Sequence, residues 1–249
     1  VKADPAAQRR LLDIQTVDTT VGQVDHRIKT LPEHAVVAQL VARRNDLGQR
    51  YVAAQTQLSD AQAAQDKAES DLGPVRERLA RDERRVEQGL VSDARALNSL
   101  NDEITHLKKR ISDLEDLELE AMEALDEATA SRDAILTEKA ALDAEAKEVV
   151  TKRDTQIADL TAERDAQLAQ RSQLVTAVPA PLLDLYEKLR ARSNGIGASE
   201  LRGKRCSGCG LEATQTAYDG YLAAPPDEVL RCEECDRILV RDPSGTKAG

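Results

Sequence analysis

The chain has 249 residues, of which 32% are charged and 2% aromatic, with no Phe or Trp and a formal charge of −10. So few large apolar side chains cannot fill one globular core of this size, and the Ala, Glu, Lys, Leu and Arg content points to long helices or coiled coil. The acidic balance disfavours tight non-specific binding to nucleic acid. No apolar run approaches the roughly 20 residues of a membrane span, and the first residues lack the apolar segment of a signal peptide. A cytoplasmic protein with no membrane association is expected.

Ile14, Val17, Val21, Val24, Ile28 and Leu31 recur in steps of three and four, the seam of a coiled coil. Pro32 interrupts this seam, and a kink is expected near it. The pattern resumes through Val36, Leu40, Leu47, Tyr51, Ala54, Leu58, Ala61, Ala68, Leu72, Leu79 and Val86. Gly73-Pro74 marks a second expected kink. The chain is expected to reverse at 89–92, where Gly89 can take a left-handed C-terminal position and Ser92 can cap the next helix. Leu90 and Val91 lie at this tip, where they either staple the turn or offer an apolar contact to a partner.

The returning arm opens with Leu97, Leu100, Ile104, Leu107, Ile111 and Leu114, again a 3-4 seam with charged residues on the outer faces. The arms 5–88 and 93–176 are then equal, and facing residues should have numbers adding to about 182. Leu79 would meet Ile104, and Ala54, Ala61 and Ala64 would face Ala121, Ala124 and Ala128. The expected fold is mainly α, a long antiparallel coiled-coil helical hairpin over 1–178 with a small β zinc ribbon at its C-terminal end. Val178-Pro179-Ala180-Pro181 ends the second arm. Leu182, Leu183, Tyr186 and Leu189 predict a short amphipathic helix stopping at Asn194-Gly195. The region 179–241 holds this helix and the cysteine module, and 242–249 reads as a disordered tail.

Cys206 and Cys209 form one C-x-x-C pair, and Cys232 and Cys235 form a second after 22 intervening residues. Two such pairs in a reducing compartment read as one four-cysteine zinc site. Four thiolates close the coordination sphere, so the single zinc is expected to be structural. Strands are expected at 214–218, 229–231 and 238–240, with a turn at Asp219-Gly220. Disulfides, a redox dithiol and an iron–sulfur cluster are the competing readings.

A hairpin carrying LNSLNDEITHLKKRISDLEDLELEAM just after its tip, followed by CSGC and CEECDRIL, resembles the bacterial C4-type zinc-ribbon proteins with an N-terminal coiled-coil hairpin, a family formerly of unknown function. The resemblance covers nearly the whole chain. It implies a non-enzymatic adaptor or regulator; some members are linked to flagellar or secretion systems, contacting sigma factor, secretion components or messenger RNA. Asp236 stands where the family usually has Gly after the last cysteine. That residue normally takes positive φ so that its N–H reaches a sulfur, and Asp tolerates this conformation better than most residues.

His26, His34 and His106 are expected to be solvated, and the acidic run from Asp113 to Glu120 reads as a wet helix face. No phosphate loop or nucleophile–base set is present, so an enzyme is not expected. Lys188, Arg190, Arg192, Arg202, Lys204 and Arg205 form a basic cluster leading into the ribbon. Two functional readings follow: a protein-binding adaptor, and a nucleic-acid-binding regulator using these cations. Antiparallel pairing within one chain satisfies the seam, so a monomer suffices and a dimer stays open.

Overall fold

The structure is a computed structural model that describes residues 1–241; the expected tail at 242–249 lies outside the described residues. Helix α1 spans Pro5–Lys29, α2 Pro32–Glu87 and α3 Ala94–Val175. Asp4 caps α1, its carboxylate accepting the Ala6 N–H at 2.7 Å, and Pro5 sits in the first turn. Pro32 opens a new helix, so the interruption there is a break between α1 and α2. Proline suits this position because its missing N–H would have had no intrahelical acceptor. Helix α2 continues unbroken through Pro74.

Helix α2 stops at a Schellman motif. The Leu90 N–H donates to the Arg85 carbonyl at 3.1 Å and the Gly89 N–H to that of Val86 at 3.0 Å, with Gly89 at φ 62°. The cap of α3 is Asp93 and not Ser92: the Asp93 carboxylate accepts the Ala96 N–H at 2.8 Å. Asp gains over Ser here because its charge also favours a helix N-terminus.

The chain divides into two compact units, residues 35–150 and residues 1–34 with 151 onward. In the first, α2 and α3 pair as an antiparallel helical hairpin. Leu40, Leu47 and Ala54 of α2 pack with Ile135 and Leu142 of α3. Along the flanks, Arg43 pairs with Glu145, Arg44 with Asp143, Arg50 with Glu138, Arg76 with Glu115 and Glu83 with Lys108. These partner numbers add to between 187 and 191, about one heptad beyond the expected 182. Arg78 reaches diagonally to Glu103 nearer the turn. Ala54 therefore packs with Ile135 instead of Ala128. A slip of seven residues returns every apolar position to the seam, so the 3-4 pattern cannot distinguish the two registers. The irregular residues 88–93 absorb the difference. The ion pairs are exposed and each adds little stability; they specify the register.

The second unit joins α1, the end of α3, α4 (Ala180–Arg192), α5 (Gln215–Ala223) and a four-stranded sheet. Its strands are β1 (Ala198–Arg202), β2 (Arg205–Cys206), β3 (Leu230–Arg231) and β4 (Ile238–Arg241), ordered β2-β1-β4-β3. The central pair, β1 and β4, is parallel. Leu11 and Ile14 of α1, Leu182, Tyr186 and Leu189 of α4, and Ala198, Ile238 and Val240 of the sheet form one core. The strands thus share their core with helices near both ends of the chain. Helix α4 ends as expected, with Asn194 at φ 53° and Gly195 at φ 85°.

A buried polar network crosses this core. The Asp18 carboxylate accepts from the Tyr186 hydroxyl at 2.7 Å and from Arg171 Nε at 2.6 Å. Arg190 Nη1 lies 3.4 Å from Asp18, and Arg171 also pairs with Glu187. Gln15 Oε1 accepts the Gly197 N–H at 2.7 Å, while its Nε2 donates to the Gly195 carbonyl at 3.0 Å. Burial first, and the Asp18 carboxylate next, push the Tyr186 hydroxyl far above its ordinary pKa. Gly197 is tightly constrained, since a Cβ there would lie 2.6 Å from the Tyr186 carbonyl oxygen.

Candidate metal centre

Two tight turns supply the four cysteines, and their backbones are close copies. In the first, the Cys206 N–H donates to the Leu211 carbonyl at 3.0 Å and the Gly210 N–H to that of Cys206 at 2.9 Å. In the second, the Cys232 N–H donates to the Arg237 carbonyl at 3.0 Å and the Asp236 N–H to that of Cys232 at 2.8 Å. The residue after each pair has positive φ, 74° at Gly210 and 60° at Asp236. The conformation expected of Asp236 is present, but its N–H serves a carbonyl and not a sulfur. Arg237 instead lies against Cys235. Gly208 packs against Ser199 of β1 and the Arg237 stem, with no room there for a Cβ.

All four sulfurs lie within 4.8 Å of one another, and none is in a disulfide. Cys206 and Cys235 sulfurs are 3.9 Å apart, and those of Cys209 and Cys232 4.0 Å. A tetrahedral tetrathiolate centre with Zn–S bonds of about 2.3 Å has S···S edges of about 3.8 Å, so the arrangement fits a four-coordinate metal. Filling all four positions with thiolate would leave no vertex for a water or substrate. Burial pushes the Cys232 thiol up to about 12 and raises that of Cys209. At Cys235 burial acts in the same sense, but the Arg237 N–H, the neighbouring thiols and the Arg237 guanidinium outweigh it and lower the pKa. A metal must displace protons from these thiols, so its affinity falls as pH falls.

The segment between the turns departs from expectation. Residues 215–223 form helix α5 in place of the strand and turn expected at 214–220. Thr214 caps it through the Ala217 N–H, and Ala217, Tyr221 and Ala224 face the cysteine core at helical spacing. The Tyr221 hydroxyl accepts the Glu233 N–H at 3.1 Å, and the Glu233 carboxylate accepts the Thr214 N–H at 3.1 Å. This packing overrides the strand preference of Thr and Tyr. Strands β3 and β4 fall where the sequence placed them.

The Asp236 carboxylate meets Arg192 of α4 at 3.0 Å and also pairs with Arg231. Asp236→Gly should be nearly neutral. Relief of roughly 1 kcal/mol of left-handed backbone cost offsets the loss of exposed pairs worth about 0–1 kcal/mol. Asp236→Val removes the same carboxylate without that relief and should destabilise by about 1–3 kcal/mol, measured by urea unfolding of both variants.

The CT398-like coiled coil hairpin domain matches residues 14–194. The chain belongs to this family. An uncharacterized protein of Mycobacterium tuberculosis is 33% identical over 241 residues, covering 97% of this chain and 98% of the relative. One from Mycobacterium leprae is 26% identical, covering 91% and 97%. A solved Mycobacterium smegmatis structure superposes with a TM-score of 0.84 at 34% identity, covering 97% of this chain and all of the other. CT398 of Chlamydia trachomatis shares the fold, with a TM-score of 0.67 at 20% identity and coverage of 95% and 98%.

In this CT398-like hairpin protein the basic cluster is largely engaged within the chain. Arg190 pairs with Glu187 and Asp18, Arg192 with Asp236, Arg202 with Glu200 and Arg205 with Glu212. Lys204 bonds Gln215 and lies over the Tyr218 ring. Lys188 lies on the same helix as Arg190 and Arg192. At the tip, Leu90 is 66% exposed and Val91 half-buried. His26, His34 and His106 are exposed. No helix among the described residues is long and apolar enough to cross a membrane. Sequence reasoning did not single out Arg237; its place two residues past Cys235 is the signal that could have found it.

Proposed function

We propose that this protein is a non-catalytic cytoplasmic adaptor, holding one structural zinc at Cys206, Cys209, Cys232 and Cys235 and binding a protein partner through the tip of its hairpin. The observation that carries this reading is Leu90 at the turn, more exposed at 66% than Leu117, Leu119 and Leu136 on the flank of the same helical pair, whose seam leucines Leu40, Leu47, Leu72, Leu100 and Leu107 are buried. A turn that used Leu90 as a staple would cover it. The pairing of Arg190, Arg192, Arg202, Lys204 and Arg205 favours a protein partner over nucleic acid, because each of these five would have to leave a carboxylate or amide of the same chain to meet a phosphate. A monomer is sufficient for this role.

The test compares two variants in the same pull-down. Leu90→Asp with Val91→Asp is expected to reduce retention of the partner at least tenfold. Neutralising Arg202, Lys204 and Arg205 together should leave it within twofold. Loss of RNA retention in the basic variant, with no protein affected by the tip change, would instead establish the nucleic-acid reading.

A further inference from the structure

We propose that Arg237 is a positioning residue that couples metal occupancy of the four-cysteine site to the C-terminal end of α4. The proposal rests on metal binding by the four thiolates. Arg237 touches three structures at once. Its backbone carbonyl accepts the Cys232 N–H at 3.0 Å and so closes the second turn. Its Cδ lies against Gly208 of the first turn, 3.0 Å from where a Cβ would be. Its guanidinium lies against the Cys235 sulfur and also reaches beyond the site: Nε donates to the Ile196 carbonyl at 3.1 Å and Nη2 to that of Ser193 at 3.2 Å.

Those two carbonyls belong to the exit from α4, where Asn194 and Gly195 both hold positive φ. Ser193 is the C-cap of α4, where a cationic donor meets the negative end of the helix dipole, and Ile196 closes the turn that follows. The next residue, Ile238, is fully buried in the α1–α4 core and donates its N–H to the Gly197 carbonyl at 3.0 Å. One planar fork therefore spans two carbonyls while its stem and backbone contact both cysteine turns. Lysine cannot reproduce this, having a single point of charge. When the metal fixes Cys235 and the adjoining backbone, Arg237 is held in reach of α4. When the metal leaves, the second turn loosens and the fork loses its anchor. Arg192 also joins α4 to this turn through Asp236, but at exposed positions.

The test uses the full chain as wild type, Arg237→Ala, Arg237→Lys and Arg192→Ala. Zinc affinity is read by competition with a chromophoric chelator, and amide exchange is followed over 189–198 with and without chelation. Arg237→Ala should weaken zinc binding 10–100-fold, as loss of an outer-sphere contact typically does. In its zinc-saturated form, exchange over 189–198 should match that of chelated wild type. Arg237→Lys should behave nearly as Ala, and Arg192→Ala should change affinity less than threefold. If Arg237→Ala does not fold, Arg237→Gln replaces it, keeping part of the stem against Gly208 without the charged fork. Unchanged zinc affinity in the folded variant, or chelation of wild type that leaves exchange over 189–198 unaltered, overturns the proposal. Wild type that binds no zinc overturns this proposal together with the metal reading, whereas zinc-binding wild type with an unaffected variant overturns this proposal alone.

Discussion

If the four cysteines hold the proposed zinc, a Cys232→Ser variant is expected to lose it together with the cooperative folding of residues 1–34 with 151–241. Cys232 is 6% exposed and packs with Leu201, Tyr221, Leu230 and Leu239. Serine would leave three thiolates around a hydroxyl that binds zinc poorly. Structural zinc contributes roughly 10–16 kcal/mol of apparent binding free energy in small metal domains, far more than the two-residue strands β2 and β3 can supply. The loss should spread beyond the cysteines, because Ala198, Ile238 and Val240 of the same sheet complete the core around Leu11, Ile14 and Tyr186. Residues 35–150 have their own apolar cluster and should keep their helices. Amide exchange should therefore show deprotection of α1 and α4 with protection retained around Leu47 and Leu142. Native exchange in α1 would show that the sheet and the helices it packs on fold independently.

Asp18→Ala should cost about 3–5 kcal/mol, the range for removing one partner of a buried ion pair. The Asp18 side chain is 2% exposed and stands between Arg171 and Arg190. Its removal leaves the Tyr186 hydroxyl with Gln15 Oε1 at 3.2 Å and Arg171 with Glu187. Asp18→Asn keeps an acceptor for the hydroxyl but removes the charge, so it should cost less than Ala. Equilibrium urea unfolding of both variants, at fixed zinc, checks the order. A loss below about 1 kcal/mol for Asp18→Ala would mean that water reaches the two guanidinium groups without repacking.

The antiparallel hairpin was legible because the apolar residues of both arms keep steps of three and four, and Gly89 is the left-handed stop that a Schellman turn needs. The register was not legible, since a heptad slip conserves the seam; only charged residues such as Arg50 and Glu138 distinguish the alternatives. Pro32 and Pro74 look alike in the sequence, yet one opens a helix and the other lies inside one. Gln15 and Asp18 lie outside the seam of Ile14, Val17, Val21 and Val24, and nothing in the sequence singled them out. They are buried because α4 and β1 cover a second flank of α1, a neighbour that periodicity within α1 cannot announce. The cysteine spacing pointed directly to the clustered sulfurs. Helix α5 was obscured by its Thr and Tyr content, although Thr214 followed by Ala217, Tyr221 and Ala224 carries a cap and a helical period.

The core around Leu11 and Ile14 also sets an order of events during synthesis. These side chains emerge from the ribosome with α1, but Ile238 and Val240, which close over them, follow more than 200 residues later. At roughly 5–20 residues per second, α1 waits about 10–45 s for its last partners. Val178, Leu182, Tyr186 and Leu189 arrive earlier, but the part of the α1 apolar stripe that the sheet covers stays open until the end.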